Sequence, residues 1–377
     1  MTILPEKRDV FCEPASSSVI LGLFHASTCR IRPMESGRVR ALAAEALLQG
    51  ASLGLFGATD VDFESRTIRY MRLSPDGWTE WQGPMPDVIL QEEPLREAAD
   101  DPVAARLGAF VPFANRPLSD RLPALESLQT SALASHVIPF RQVVESDAGE
   151  VIAAFLDEHQ RIVLKPDSLH SRHRTAFIAC DGDDIVVRQG DRRWRSPRET
   201  GIAELVGLVG DGRWIVQAMI VSRVRDGRIF DVRIHAHKDG SGRWVLVRSF
   251  VGLSEAGRLV SNLSRGGYQG DLSKVLAGLG DSGTALVARI RRLGLQIGEA
   301  LDAQQDGGLG EIEIDILVDP RHWPWIAEVN TSPAADFHAF DRARFNVAYA
   351  LYLARRHGEG RHREDGPESR AQPVYSV

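Results

Sequence analysis

In the stretch 311–318, Glu311, Glu313 and Asp315 share one parity, while Ile312, Ile314, Ile316 and Val318 share the other. A period of two is that of a β-strand with one apolar and one acidic face. Asp319-Pro320-Arg321-His322-Trp323-Pro324 follows as a turn, because proline fixes φ and cannot continue a ladder. Trp325-Ile326-Ala327-Glu328-Val329-Asn330 then returns as a second strand. With the turn centred on Arg321 and His322, Asp315 faces Glu328 and Glu313 faces Asn330. Facing residues project to the same side of a sheet, so three carboxylates and one amide converge on a single patch. Like charges set opposite each other destabilise a hairpin unless something neutralises them. A hard divalent cation would do so, and Mg²⁺ favours carboxylate oxygens together with substrate phosphates. An edge hairpin with a solvated acidic face would show the same pattern, so the rest of the chain has to decide.

The 377 residues suggest two to three domains with a real core. A net charge of −6 gives no reason to expect nucleic acid or an anionic membrane surface. No apolar run approaches the length of a membrane span, and Met1 to Asp9 lacks the apolar core of a signal peptide. Cys12, Cys29 and Cys180 are scattered and without metal spacing, which reads as a reduced, cytoplasmic chain. Oligomeric state stays open, a homo-oligomer included.

Ser18–Phe24, the helix Ser36–Gly50 with its serine cap and terminal glycine, and Ala51–Gly57 read as strand, helix and strand of a small α/β domain. Pro86–Leu90 adds a strand, and the domain closes near residue 115. Residues 117–160 read as mostly helical, interrupted near Pro139. Arg161–Pro166 is a strand that delivers Lys165 and stops at proline, before the polar loop Asp167–Arg174. A lysine there suits a phosphate clamp, as it would suit a side chain snorkelling to solvent. Further strands are read at 175–180, 184–188 and 213–220.

Phe230–His237 and Arg243–Arg248 alternate on either side of Lys238-Asp239-Gly240-Ser241-Gly242, a hairpin signature. Arg233 and Arg248 share its face, opposite or diagonal, which implies an anion between them or a carboxylate such as Asp231. His235 and His237 have the same parity, but no third ligand lies near, which reads against zinc. Ser261–Gly267 is a turn-rich loop whose paired glycines let backbone approach a ligand. Residues 285–304 form an amphipathic helix with Leu286, Ile290, Leu293, Ile297 and Leu301 on one side. A last helix, from about Arg342 to Arg356, would turn Phe345, Ala348, Leu351 and Tyr352 inward, and the polar residues 357–377 read as a disordered tail.

The ordered set resembles the ATP-grasp superfamily, and within it the endospore coat-associated, YheC/YheD-like branch. The set is a lysine at a strand end, a polar loop, Gln217-Ala218-Met219-Ile220, Asp231-Val232-Arg233, Asn262 before Gly266-Gly267, and Asp315 before Glu328-Val329-Asn330. Trp78 or Trp81 before Gly83-Pro84-Met85-Pro86-Asp87-Val88 resembles that branch too. The resemblance implies an α/β (α+β) architecture in which two α+β lobes clasp ATP behind a small pre-ATP-grasp domain. The expected division is 1–115 for that domain, 116–200 for the central lobe, 201–356 for the C-terminal lobe and 357–377 for the tail.

By resemblance, Asp315, Glu328 and Asn330 are the ligands of two Mg²⁺ that bridge ATP phosphates, and Lys165 contacts those phosphates. Gln217, Ala218, Met219 and Ile220 line the adenine pocket, with Asp231 nearby. Arg233 steadies the transferring phosphoryl group, Asn262 lies beside the phosphates, and Arg248 serves the acceptor side. The implied activity is ADP-forming carboxylate–amine ligation through an acylphosphate, on an amino acid, small peptide or similar carboxylate. A nucleotide-binding coat-type protein without turnover is the alternative. Two departures from the branch stand out. The loop Asp167–Arg174 has no glycine where the family has several, and Phe250 stands where an arginine is usual, with Arg248 one same-face step earlier. A lysine expected in the helical stretch before residue 160 has no evident counterpart.

Overall fold

The computed structural model describes residues 19–25, 36–74, 77–91, 102–116, 118, 120–168, 174–210, 212–224, 226–254, 268–277, 281–304, 308–331, 333 and 338–364. The first domain contains β1 (Ile20–His25), α1 (Gly37–Leu48), β2 (Ser52–Gly57), β3 (Val61–Asp62), β4 (Thr67–Ser74), β5 (Gly77–Pro84), β6 (Val88–Gln91), α2 (Pro102–Gly108) and β7 (Phe113–Asn115). Its sheet runs β3-β4-β2-β1-β6-β7, with β5 hairpinned onto β4. β1 pairs parallel with β2 and β6, as the strand–helix–strand reading requires. Ser36 caps α1 by accepting from the Arg38 N–H, and Gly50 takes φ +79° just past its end. The β4–β5 hairpin escaped the sequence reading. There Trp81 stacks on Tyr70 and lies where a Cβ on Gly83 would sit, which accounts for the tryptophan–glycine pattern locally.

The central lobe holds α3 (Leu122–Gln129), β8 (Phe140–Val143), α4 (Ala148–His159), β9 (Arg161–Pro166), β10 (Ala176–Asp181), β11 (Asp184–Gln189), β12 (Arg192–Pro197), α5 (Arg198–Val209) and β13 (Trp214–Ala218). Its sheet runs β12-β11-β10-β9-β13-β8. Residues 140–143 are a strand inside the stretch read as mostly helical, and β13, which follows the expected boundary at residue 200, lies in the central sheet between β9 and β8. Alternation along β13 sends Trp214 and Val216 into the core under α4 and α5, and Ile215 into the core of the following lobe.

The last lobe contains β14 (Phe230–Lys238), β15 (Trp244–Leu253), β16 (Tyr268–Asp271), α6 (Leu272–Ala277), α7 (Asp281–Gln304), β17 (Glu311–Val318), β18 (Pro324–Asn330) and α8 (Ala339–Glu364). Its antiparallel sheet runs β16-β15-β14-β17-β18. α7 covers one face with Leu286, Ile290, Leu293, Ile297 and Leu301, all buried, together with Ile234, Ile312 and Ile314. α3 joins the same core through Leu122, Leu125 and Leu128, which welds the start of the central lobe to this sheet.

α8 departs from expectation twice. It runs to Glu364, through the start of the stretch read as a disordered tail, while residues 365–377 lie outside the described residues. Its buried face is Arg342, Ala343, Asn346, Val347 and Ala350, not the Phe345–Tyr352 stripe. Ala343, Val347 and Ala350 pack with α1 and the strands of the first domain. Arg342 and Asn346 turn inward because a buried carboxylate, Glu311, needs them.

Candidate active site

The face of the last sheet opposite α7 carries three rows of polar side chains. Arg233 pairs with Asp315 and Asp315 with Glu328; His235 pairs with Glu313 and Glu313 with Asn330; His237 pairs with Glu311. The hairpin register at the acidic residues is therefore the one read from the sequence. The turn end differs, because Ile316 pairs with Ile326, one residue out of step. A β-bulge at Ala327 restores the register before Glu328. The bulge leaves the Ala327 carbonyl outside the ladder, and the Nζ of Lys165 donates to it at 3.2 Å, with Gln217 Nε2 at 3.5 Å. Lys165 and Gln217 belong to the central sheet, so this carbonyl is where the two lobes meet over the site.

Arg233 grips Asp315 with both fork nitrogens, Nε to Oδ1 at 2.8 Å and Nη2 to Oδ2 at 3.0 Å, and Nη1 lies 3.3 Å from Glu313 Oε1. Asp315 in turn holds the Arg233 pKa well above its usual value. Burial pushes the Asp315 carboxyl up; Arg233 opposes this, and Glu313 and Glu328 reinforce it. Asp231, on the same face of β14, is pushed up to about 7 by burial and by the charge of Asp315. His235 Nε2 lies 3.2 Å from Glu313 Oε2. Carboxylates crowded this closely hold their charge best when a further cation shares them.

Glu311 meets a different fate. It is 2% exposed and accepts from Arg342 and Arg38, with Asn346 and His237 beside it. Burial alone would raise its pKa, but the two guanidiniums hold the carboxyl well below the usual range. Arg38 comes from α1 and Arg342 from α8, so this acid fastens the first domain to the last sheet.

Arg248 lies diagonal to Arg233, since His235 pairs with Arg248 and Arg233 with Phe250. The anion it meets is Asp341 of α8, at 2.6 Å, rather than Asp231. That pair borders a cavity of about 480 Å³ at the β15 edge, with Arg344, Phe345 and Asp271. Met219 and Ile220 follow directly on β13 and lead into the link to β14, where Ser222 accepts the Val318 N–H at 2.6 Å. Asn262 and residues 169–173 of the loop after Lys165 lie outside the described residues.

Sequence reasoning missed Arg121. It is buried before α3 and donates from Nε to Glu328 Oε2 at 2.9 Å. An arginine here occupies the region where a lysine was sought, and a lone basic residue ahead of a helix carries no pattern that would have marked it.

Two lobes meeting over a row of half-buried carboxylates, with a strand-end lysine between them, now have a counterpart. The model of the YheC/D like ATP-grasp family matches residues 111–353. The chain belongs to that family. This ATP-grasp chain is 22% identical over 328 residues to the endospore coat-associated protein YheD of Bacillus subtilis (strain 168), covering 80% of this chain and 70% of that protein. Its fold is similar to that of the D-cycloserine synthetase DcsG, with a TM-score of 0.52 at 16% identity, over 89% of this chain and 99% of that one. The D-alanine–D-alanine ligase of Bacillus anthracis complexed with ATP gives 0.54 at 10% identity, over 91% and 99%. These likenesses establish the ATP-grasp fold. Among the described residues no helix is long and apolar enough to cross a membrane.

The donor set at the carboxylate rows fits magnesium. Asp315, Glu328 and Asn330 offer oxygen only, while among the described residues no group of three or more His, Cys, Asp or Glu side chains is arranged to hold a metal ion by itself. Mg²⁺ commonly takes one or two protein carboxylates and completes its shell with phosphate oxygens and water.

Proposed function

We propose that the chain is an ATP-dependent, ADP-forming carboxylate–amine ligase that makes an amide or peptide bond on an amino acid, small peptide or similar acid. The observation that carries this reading is the row Arg233–Asp315–Glu328 facing Lys165 across the two lobes. In this reading Asp315, Glu328 and Asn330 would hold Mg²⁺ with the nucleotide phosphates, and the metal would neutralise phosphate charge. Gln217 to Ile220 would line the adenine end and Lys165 the phosphates, a role that the resemblance also assigns to Asn262. A substrate carboxylate oxygen attacks the γ-phosphorus and ADP leaves. The amine nitrogen then attacks the acyl carbon, expels phosphate and loses a proton.

The barrier is the repulsion between two anions, and Arg233 and Lys165 stabilise the charge that develops between them. In this reading the cavity beside Arg248 and Asp341 would take the acceptor amine, Arg248 being one diagonal step from Arg233 on the sheet. Closure of the lobes excludes water that would hydrolyse the acylphosphate. The test is ADP release with mixtures of amino acids and peptides. Release that needs both an acid and an amine supports ligation, and product mass separates it from simple phosphorylation. A nucleotide-binding protein without turnover remains the second reading. It is favoured by the glycine-free loop Asp167–Arg174, together with Phe250 opposite Arg233, and it expects nucleotide binding with no ADP release under any mixture.

A further inference from the structure

Arg121 ties together parts of both lobes. Besides Glu328, its guanidinium reaches the backbone at the end of β9: Nη1 donates to the carbonyls of Pro166 at 2.7 Å, Asp167 at 3.2 Å and Ser168. Asp167 fixes Arg121 in return. Its Oδ1 accepts from the backbone N–H groups of Arg121 at 3.0 Å and Leu122 at 2.8 Å. The Asp167 N–H is itself anchored on the Arg213 carbonyl at 2.9 Å. Lys165 directly precedes these carbonyls, so Lys165 on the central sheet and Glu328 on the last sheet are both referenced to one planar side chain. A buried ion pair is weak evidence for stability on its own. A fork with Nε committed to a carboxylate and Nη1 to three carbonyls has a geometric use that a point charge could not fill.

We propose that Arg121 is a positioning residue that couples the end of β9 to Glu328, holding the phosphate-side lysine and the carboxylate of β18 at a fixed separation. The proposal rests on the reading of Glu328 as part of the nucleotide site. Arg121→Lys keeps the charge and removes the fork, and Glu328→Gln keeps the shape and removes the charge. Calorimetric titration of the full chain with Mg–ATP should give about tenfold weaker binding for each variant and no further loss for the double variant, because residues in one hydrogen-bond network do not add. A merely structural Arg121 would lower the melting temperature and leave the two losses additive. Additive losses, or wild-type affinity in Arg121→Lys, overturn the proposal. If the wild-type chain binds no Mg–ATP, the functional reading fails by itself, and amide exchange without nucleotide decides the coupling. Faster exchange at Asp167 and Ser168 in Glu328→Gln supports it, and unchanged exchange at both overturns it.

Discussion

Glu311 and Asp315 stand four residues apart on the same face of β17 and are handled in opposite ways. Glu311 is enclosed by Arg38, Arg342, Asn346 and His237, side chains drawn from α1, α8 and β14. Asp315 has one arginine, Arg233, and two neighbouring acids, Glu313 and Glu328, that add to its charge. One end of the acidic face is closed by covalently attached cations. At the other end, where the two lobes meet, Asp315 and Glu313 share Arg233 and the acids crowd one another. A strand with one acidic face is therefore not one environment; the helices laid over it decide which acids are enclosed by cations and which stay crowded together.

The comparison breaks most visibly under neutralisation of each acid. Asp315→Asn or Glu328→Gln should lower ATP turnover by about two orders of magnitude or more, with the chain still folded although Arg233 or Arg121 loses its carboxylate. Near-normal ATP consumption in either variant would remove them from the site. Glu311→Gln should do the reverse. It leaves two buried guanidiniums without their carboxylate and should cost about 3–5 kcal/mol of unfolding free energy, while the folded fraction still binds Mg–ATP. Chemical denaturation beside nucleotide titration separates the two outcomes, and an intact fold with lost binding would reverse the roles assigned here.

Deleting Ala327 sharpens the cleft side of the comparison. The deletion removes the bulge yet leaves Asp315 opposite Glu328, because Ile316 already pairs with Ile326. What is lost is the carbonyl that accepts from Lys165 and Gln217. A charged hydrogen bond of this kind is worth about a tenfold change in affinity, so Mg–ATP should bind roughly tenfold more weakly with the acidic row intact. Unchanged affinity would mean that the bulge only shapes the strand.

Ala327 also marks how far the sequence could be read. The alternation at 311–318 was enough to place the acids on one face and to pair Asp315 with Glu328. That pairing was inferred from a turn centred half a residue away from the real one, and the bulge makes up the difference. A bulge has no composition signal when its residue is an alanine. Local periodicity likewise revealed α7 and the 230–248 hairpin. It revealed the strand β13 but not the sheet it joins, which depends on partners some fifty to seventy residues earlier, and it was silent on Arg121 and Asp341, whose roles come from elements distant in the chain. The inner face of α8 was misread for the same reason. Arg342 and Asn346 look solvent-bound until Glu311, 31 and 35 residues before them, is placed beside them.

The last contrast lies in pH, where the two ends of the face should respond with opposite signs. Burial lowers the pKa of His237, beside Glu311, from 6.5 to about 4. The unfolded chain then takes up the proton first, so the contribution of His237 is complete above about pH 6.5 and is lost as pH falls towards 4. At the cleft end Asp231 is raised from 3.8 to about 7, chiefly by burial and then by Asp315. Its folded form holds the proton longer, so its contribution is complete below about pH 4 and is lost as pH rises through 7. Denaturation midpoints across pH 4–8 should therefore flatten on the acid side in His237→Gln and on the neutral side in Asp231→Asn. Flattening on the same side in both variants would mean that the two ends of the face share one electrostatic environment, and the contrast between Glu311 and Asp315 would lose its basis.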